Sequence, residues 1–547
     1  MIRRTVFLLF AASVLCLTSA LQADDSKVTT PNAEALAAVR AADQLKAEGK
    51  FQDAVVKYQD ALKIDKTLEP AQTGLAVALL RAGKPDAALD AAVAAFSAHP
   101  DSAPVLAVLG RVQFRRGDMA EAEQAYQATL QIDSKNIDAY LGLTRLYRAY
   151  SLYARAYMAL KRAHDLDPKN SDVQLLWLQT LPRRDRLAAL QAYMSGPHQP
   201  SSSLQHYETY LEKTHDEPLH GCKVAGNVDQ TEIKLDYVHD PYPHIEGLGM
   251  ELKVNDRSHV LLLDTGASGI LISRKAANKA GLRHITDIAV GGIGDEGDHS
   301  GYLALAGKIK VGNLEFHDCI VTVTDRASLA DSDADGLLGA DVFASYLVDI
   351  DLPHKMMRLS PLPKRPGDEE AVAKLNSQDQ SDEPAVDAES ADITPGETYH
   401  PKDRYVAPDM KSWTPVFRFG HMLLVPTQLN ASKPVLFLLD TGAFQNTLST
   451  RAARATAKVD ASSLGVEGES GRVADVYRAE KVDIQFAHFH QPNTNAVTFD
   501  LSNISNSVGM EISGTLGFNL LSMLDIRIDY RDGLVDFAYR DNHGVAH

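Results

Sequence analysis

Two stretches decide how this chain reads. His259-Val-Leu-Leu-Leu-Asp264-Thr265-Gly266-Ala267-Ser268 is an apolar run that ends in an acid, a hydroxyl and a glycine. Pro434-Val-Leu-Phe-Leu-Leu-Asp440-Thr441-Gly442-Ala443 repeats the pattern. A short apolar run stopped by a turn signal is expected to be a buried strand, so each acid is carried to a strand end. An earlier strand and a polar turn precede each copy: Gly249 to Val254 with Asn255-Asp256, and Met422 to Leu429 with Asn430 to Lys433. Downstream come Gly336-Leu-Leu-Gly339 and Gly514-Thr-Leu-Gly517, then Val348-Asp-Ile-Asp351 and Ile526-Arg-Ile-Asp529, then Met357-Arg-Leu359 and Val535-Asp-Phe537.

This order occurs over about residues 220–362 and again over 412–540, and it resembles the retropepsin-like aspartic proteases. The resemblance implies two mainly-β acid protease domains. It implies Asp264 and Asp440 as a catalytic pair, Thr265 and Thr441 tying their loops together, and Gly266 and Gly442 leaving room for a water and an unusual turn. The chemistry explains the duplication. One carboxylate cannot both activate water and protonate an amide oxygen, whereas two carboxyls about 3 Å apart share one proton and divide the roles of base and acid. Such a pair titrates as a unit. The same family carries a flap over the substrate, and Gly291-Gly292-Ile293-Gly294 is the expected flap tip, with Gly465 to Gly471 its counterpart. An ordinary glycine-rich loop is the other reading of that segment. The activity implied is aspartic-type endopeptidase, acting on peptides or unfolded protein. The rival from another class is a non-catalytic peptide- or protein-binding scaffold built from degenerate protease-like lobes.

The front of the chain has a different period. Gly49, Gly83 and Gly117 recur every 34 residues, as do Ala54, Ala88, Ala122 and Ala156. Small residues at those points let antiparallel helices approach closely. The pattern is similar to the tetratricopeptide repeat, with four copies over roughly residues 33–168. Asp172 to Met194, with Trp177, is expected to cap the open end, giving an all-α solenoid over residues 31–200. Its groove is a candidate site for a protein partner, and a structural spacer or dimerisation arm is the alternative. Gly196-Pro197 and Ser201-Ser202-Ser203 read as a hinge, which predicts that the β-rich part folds without the solenoid.

The 547 residues are ample for several cores. Seventy-two acidic against 55 basic residues give a formal charge of −17, and without a basic stripe nucleic acid is not an expected partner. Arg3 and Arg4 before the apolar stretch Val6 to Leu17, with small residues at Ala20 and Ala23, read as a signal peptide over residues 1–23. The expected location is periplasmic or secreted, with no stable membrane span after cleavage. Export permits a disulfide between Cys222 and Cys319, and two separate buried thiols fit the spacing equally well. Asp368 to Glu397 holds ten acidic residues against one lysine, so residues 363–411 are expected to form a disordered tether. A long tether lets the two copies pair within one chain; copies that dimerise with other chains are the alternative.

Other motifs fail on context. Gly292, Gly294 and Gly297 have dinucleotide-fingerprint spacing but open no helix. Asp331, Asp333, Asp335 and Gly336 imitate a calcium loop whose twelfth position is Val342 rather than glutamate. With no His-Glu-x-x-His, Cys-x-x-Cys or Gly-x-Ser-x-Gly, neither metal nor cofactor is expected.

Overall fold

The computed structural model describes residues 32–196, 202–214, 222–225, 230–239, 244–324, 332–366 and 401–539. The leader at 1–23, residues 367–400 of the tether and 197–201 of the hinge lie outside the described residues.

Eight helices, from Ala33–Ala47 to Tyr153–Leu166, form four antiparallel pairs. Ala54, Ala88, Ala122 and Ala156 are buried where the helices cross. The first three intra-repeat turns use glycine in the left-handed region, with φ of +76° at Gly49, +73° at Gly83 and +80° at Gly117. The fourth turn has Ser151 at φ +56° in the same place, a conformation unfavourable for a residue with a Cβ. It is held by a neighbour, since the Ser151 carbonyl accepts the Arg404 N–H at 2.9 Å.

Ser171–Leu178 and Arg183–Met194 extend the array, and Trp177 stacks on His164 with centroids 4.0 Å apart. Ser202 and Ser203, expected in the hinge, instead begin a further helix, Ser202–Thr214. Its Leu211 joins Leu178 and Leu190 in one apolar cluster. Lys213 then donates to the Ile285 carbonyl at 2.9 Å, tying the last helix to the β-rich half.

That half contains two units of the same strand order. In the first, Leu314–Thr324, Ile270–Ser273, Gly336–Gly339, Arg257–Asp264 and Ile245–Val254 are neighbours in that sequence. In the second, Phe489–Phe499, Thr447–Ser449, Gly514–Leu516, Val435–Leu439 and Met422–Leu429 repeat it. In both, the strand bearing the acid pairs in parallel with the later glycine strand, Leu263 opposite Leu338 and Leu439 opposite Leu516. Such parallel pairing needs a long crossover, which explains the seventy-odd residues between the motifs. Cys222 and Cys319 are joined by a disulfide beside the pairing of Lys223–Val224 with Leu314–Thr324.

A six-stranded antiparallel sheet joins the units. It takes Thr231–Lys234, Tyr346–Asp351 and Met356–Pro361 from the first, and Thr414–Pro415, Leu524–Asp529 and Leu534–Tyr539 from the second. At its centre Val348 faces Ile528 and Ile350 faces Ile526, all buried. These residues belong to one apolar core that runs through both units. The two copies therefore pair within one chain.

The solenoid is not a detached module. Phe114, Met119, Tyr126, Leu143 and Leu146 share an apolar core with Leu424, Leu436, Leu438, Met510 and Ile512 of the second unit. Polar contacts ring it: Lys433–Glu121 at 2.6 Å, Arg451–Asp86 at 3.0 Å, and Arg115 on the Ser505 carbonyl and Asn506. The hinge reading fails because a polar Gly-Pro-Ser stretch reports local chain character, and this interface is made by repeats far earlier in sequence. Fully burying one Leu or Met contributes about 1.5–3 kcal/mol, so exposing five such residues rivals a typical total stability of about 5–15 kcal/mol. A chain lacking residues 33–214 is therefore expected to be aggregated or to lose the second unit's fold. Circular dichroism and size-exclusion chromatography test this, and a monomeric truncation with an unchanged melting temperature would refute the integrated packing.

The tether's ends also meet. Arg365, just before the undescribed segment, and the N–H of Tyr405, just after it, both reach Oδ1 of buried Asp532. The neighbouring Asp529 carboxyl is raised to about 6, first by burial and then by the Asp532 charge, against the Asp532 N–H and the Arg531 and Arg365 guanidiniums. A folded value above the unfolded one means the fold favours the neutral acid. That stabilisation is present below about pH 4 and is lost as pH rises through about 6. Asp529→Asn keeps an oxygen for the Asp532 N–H and removes the charge. It is expected to raise unfolding free energy by on the order of 2 kcal/mol at pH 7.5 and hardly at all at pH 4. Urea titrations at the two pH values check it; equal effects at both would be the contrary result.

Candidate active site

The parallel pairing delivers Asp264 and Asp440 to the same point. Each acid is gripped first by its own loop: Gly266 N–H and Ala267 N–H donate to Asp264 Oδ1 at 2.7 and 3.2 Å, and Gly442 N–H and Ala443 N–H donate to Asp440 Oδ1 at 3.1 and 3.0 Å. The loops then lock across the interface. Thr265 N–H donates to Thr441 Oγ1 and Thr441 N–H to Thr265 Oγ1, both at 3.0 Å. In return, the Thr265 hydroxyl donates to the Leu439 carbonyl at 2.8 Å and the Thr441 hydroxyl to the Leu263 carbonyl at 2.9 Å. Both threonines are buried, so these four bonds have no water to replace them.

The grip brings the carboxyls together, so that the Cβ position of Gly266 lies against Asp440 and that of Gly442 against Asp264. Gly442 is required here, because a Cβ on it would collide with the Asp264 carboxyl. Burial pushes Asp440 well above the usual carboxylate range, and the Asp264 charge adds to it, against the Ala443 and Gly442 N–H groups. Asp264 is also raised by burial, but its own N–H donors, Asp440 and the His421 charge oppose the rise. Two carboxyls held this close favour one proton shared between them.

The later glycine motifs brace the loops from behind. Gly339 N–H donates to the Gly269 carbonyl at 2.7 Å, and the Asp341 carboxylate accepts Gly269 N–H at 2.9 Å. In the second unit Gly517 N–H donates to Asn446 Oδ1 at 2.8 Å. Asp341, Asn446 and His421 escaped the sequence reading. Asp341 and Asn446 lie a few residues from motifs already singled out. His421, with its Nε2 3.1 Å from the Gly266 carbonyl, is 155 residues away and carries no local signal.

Gly291, Gly292 and Gly294 sit at the tip between Arg283–Val290 and His299–Val311. The structure places them against the second unit's short hairpin, Glu467–Gly468 with Gly471–Arg472. Gly292 N–H donates to Ser470 Oγ at 2.8 Å, and Ser470 N–H to the Ile293 carbonyl at 2.7 Å. His299 Nε2 lies 2.9 Å from Glu469 Oε1. The two tips thus clasp one another. The acidic loop that imitates a calcium site instead sends Asp335 to buried His259, at 2.8 Å.

Residues 250–342 match the family model of aspartyl proteases, and residues 73–137 match that of the tetratricopeptide repeat. The chain carries tetratricopeptide repeats and a retropepsin-like aspartyl protease domain. It is 24% identical over 151 residues to DNA damage-inducible protein 1 of Kluyveromyces lactis, a match covering 26% of this chain and 35% of that protein. The chain thus spans about a third of the length of that relative. Among solved structures, a thermophilic tetratricopeptide repeat protein from Thermus thermophilus is 19% identical, with a TM-score of 0.29, over 32% of this chain and 98% of that one. The second such domain of human RPAP3, solved with an HSP70 peptide, is 20% identical, with a TM-score of 0.20, over 21% of this chain and 98% of its own.

The threonine lock between the two units makes a direct prediction. Thr441→Val removes the acceptor of the Thr265 N–H and the donor to the Leu263 carbonyl, leaving buried groups unpaired at about 1–3 kcal/mol each. Unfolding free energy is expected to fall by several kcal/mol, with Thr441→Ser keeping most of it. Denaturant titration checks both, and a harmless Thr441→Val would show that the lock bears no load.

Proposed function

We propose that the protein is an exported aspartic-type endopeptidase whose Asp264/Asp440 pair hydrolyses peptide bonds, with the solenoid holding a partner or substrate. The observation that carries the reading is the pair itself: two adjoining carboxyls, from two units of one chain, fixed by the reciprocal Thr265/Thr441 lock. In this reading ionised Asp264 takes a proton from a water as it attacks the scissile carbonyl carbon. Asp440 gives its proton to the carbonyl oxygen, forming the tetrahedral diol. Return of a proton to the amide nitrogen then lets the C–N bond break. Gly266 and Gly442 keep the space beside the carboxyls open. The clasped tips at 291–296 and 467–472 must part to admit a chain and then shield it from water.

Export is supported by the leader-like start and by the Cys222–Cys319 disulfide, which suits an oxidising compartment. A partner role for the solenoid rests on its repeat type; the human RPAP3 domain is described with an HSP70 peptide bound. Since repeats three and four are engaged with the second unit, repeats one and two offer the surface for such a partner.

Cleavage of unfolded substrates is expected to follow a bell in pH, falling on the acid side when both carboxyls are protonated and on the alkaline side when both are ionised. Asp264→Asn and Asp440→Asn should each lose about 10²–10⁴-fold, and mixing the two variants should restore little. Product mapping by mass spectrometry over about pH 3–8 measures this. Full activity in either variant would favour the binding-scaffold reading, and recovery on mixing would favour pairing between chains.

A further inference from the structure

The surroundings of the two carboxyls are not symmetric, and strand register shows where they differ. Gly249 stands opposite Leu262, two residues before Asp264, and Leu424 stands opposite Leu438, two residues before Asp440. Three residues before Gly249 and Leu424, the matched positions hold Glu246 in the first unit and His421 in the second. Glu246 is turned to its own unit, where Oε2 accepts the Ser332 hydroxyl at 2.6 Å. His421 reaches across, with Nε2 3.1 Å from the carbonyl oxygen of Gly266. Gly266 is the residue whose N–H holds Asp264 Oδ1 at 2.7 Å. On the opposite side, Gly247 approaches the Thr441 carbonyl with no side chain, its Cβ position 3.5 Å from that oxygen.

A carbonyl only accepts, so Nε2 of His421 carries hydrogen whether the ring is neutral or charged. A second proton goes to Nδ1 and makes the ring cationic without breaking the contact. The ring thus meets the loop that carries Asp264, and Arg418 stands three residues before it on the strand Phe417–Phe419. Arg418 is committed elsewhere, its Nε on the Gly420 carbonyl at 2.9 Å and Nη1 on the Tyr530 carbonyl at 3.0 Å. The His421 charge acts on Asp264 and lowers it.

Resting on the proposed protease reading, we propose that His421 is a positioning residue that breaks the symmetry of the pair, keeping the negative charge on Asp264 and the proton on Asp440. Asp264 is then always the base and Asp440 always the acid, so a substrate binds in one direction of the cleft. A histidine is ordinarily protonated in the acidic range, where this effect is to be read.

The test uses the full-length chain with His421→Gln, which keeps a donor for the Gly266 carbonyl without charge, and His421→Lys, which restores charge. Without the cation, ionised Asp264 is less favoured, so the acid limb of kcat/KM moves to higher pH. Activity at about pH 4 is expected to fall about threefold or more relative to wild type, for a shift of about half a pH unit. His421→Lys is expected to return the limb toward wild type. A second measurement needs no activity: urea unfolding of His421→Gln combined with Asp264→Asn and, separately, with Asp440→Asn at about pH 4.5. Non-additivity with Asp264→Asn and additivity with Asp440→Asn are expected. An unchanged acid limb in His421→Gln, or equal coupling to both acids, overturns the proposal. Wild-type chain that cleaves nothing at any pH overturns the protease reading instead, and the unfolding cycle still decides the coupling.

Discussion

Two acids far apart in sequence are pressed together at the seam between the units, and most of the β-rich half answers to that constraint. Burying carboxyls side by side is unfavourable twice over, through lost hydration and through mutual repulsion. The offsets are nearly all backbone. Four N–H groups from the two triplet loops hold one oxygen of each acid, Oδ1, and the reciprocal threonine bonds prevent the loops from sliding apart. Those loops stay put because each hangs between strands paired in parallel, with the glycine motif bracing it from behind. The shared six-stranded sheet then fixes the angle between the units. Removing any one layer leaves the carboxyls free to relax into water, at which point they become ordinary acids.

The solenoid answers a related problem of exposed surface. The second unit's strands Met422–Leu429 and Val435–Leu439 present Leu424, Leu436 and Leu438 away from the dyad-bearing core. In an isolated unit these would form a wet apolar face of the kind that aggregates. Repeats three and four cover it with Phe114, Met119 and Leu143, while the last helix anchors Lys213 on the strand Arg283–Val290 of the first unit. A tetratricopeptide array that has given half its length to internal packing acts as a wall of the second unit.

Much of this was legible from residue pattern. The 34-residue period names the helical pairs because it is set by helix contact, a local property repeated four times. The two Asp-Thr-Gly stretches and their later glycine motifs were readable because strand burial writes itself as apolar runs. What escaped was whatever depends on distance in sequence. Polar residues 196–203 look like a hinge, yet the chain continues into the helix Ser202–Thr214 because Leu211 finds Leu190, and no composition rule sees that partner. The tether looked like the agent that brings the units together. Its ends, Arg365 and Tyr405, instead meet at one oxygen of Asp532, so the sheet and common core do the pairing and the tether closes a loop. Cys222 and Cys319 gave no preference between bridge and free thiols, since only the pairing of Lys223 with His317 brings them side by side.

Fusing both units in one chain changes what the pair can be. In a dimer of identical copies, symmetry forces the two carboxyls into the same surroundings, and the proton's place is decided by the substrate alone. Here the copies differ at positions around the triplets. His421 faces the first triplet where Glu246 holds the matching place. Phe444 follows one triplet where Ser268 follows the other, and the loop braces are Asn446 in one unit and Asp341 in the other. Each difference leaves the threonine lock intact, because the lock uses only atoms that both copies retain. The lock is thus a symmetric clamp carrying asymmetric surroundings, and the two acids it holds sit in unequal settings.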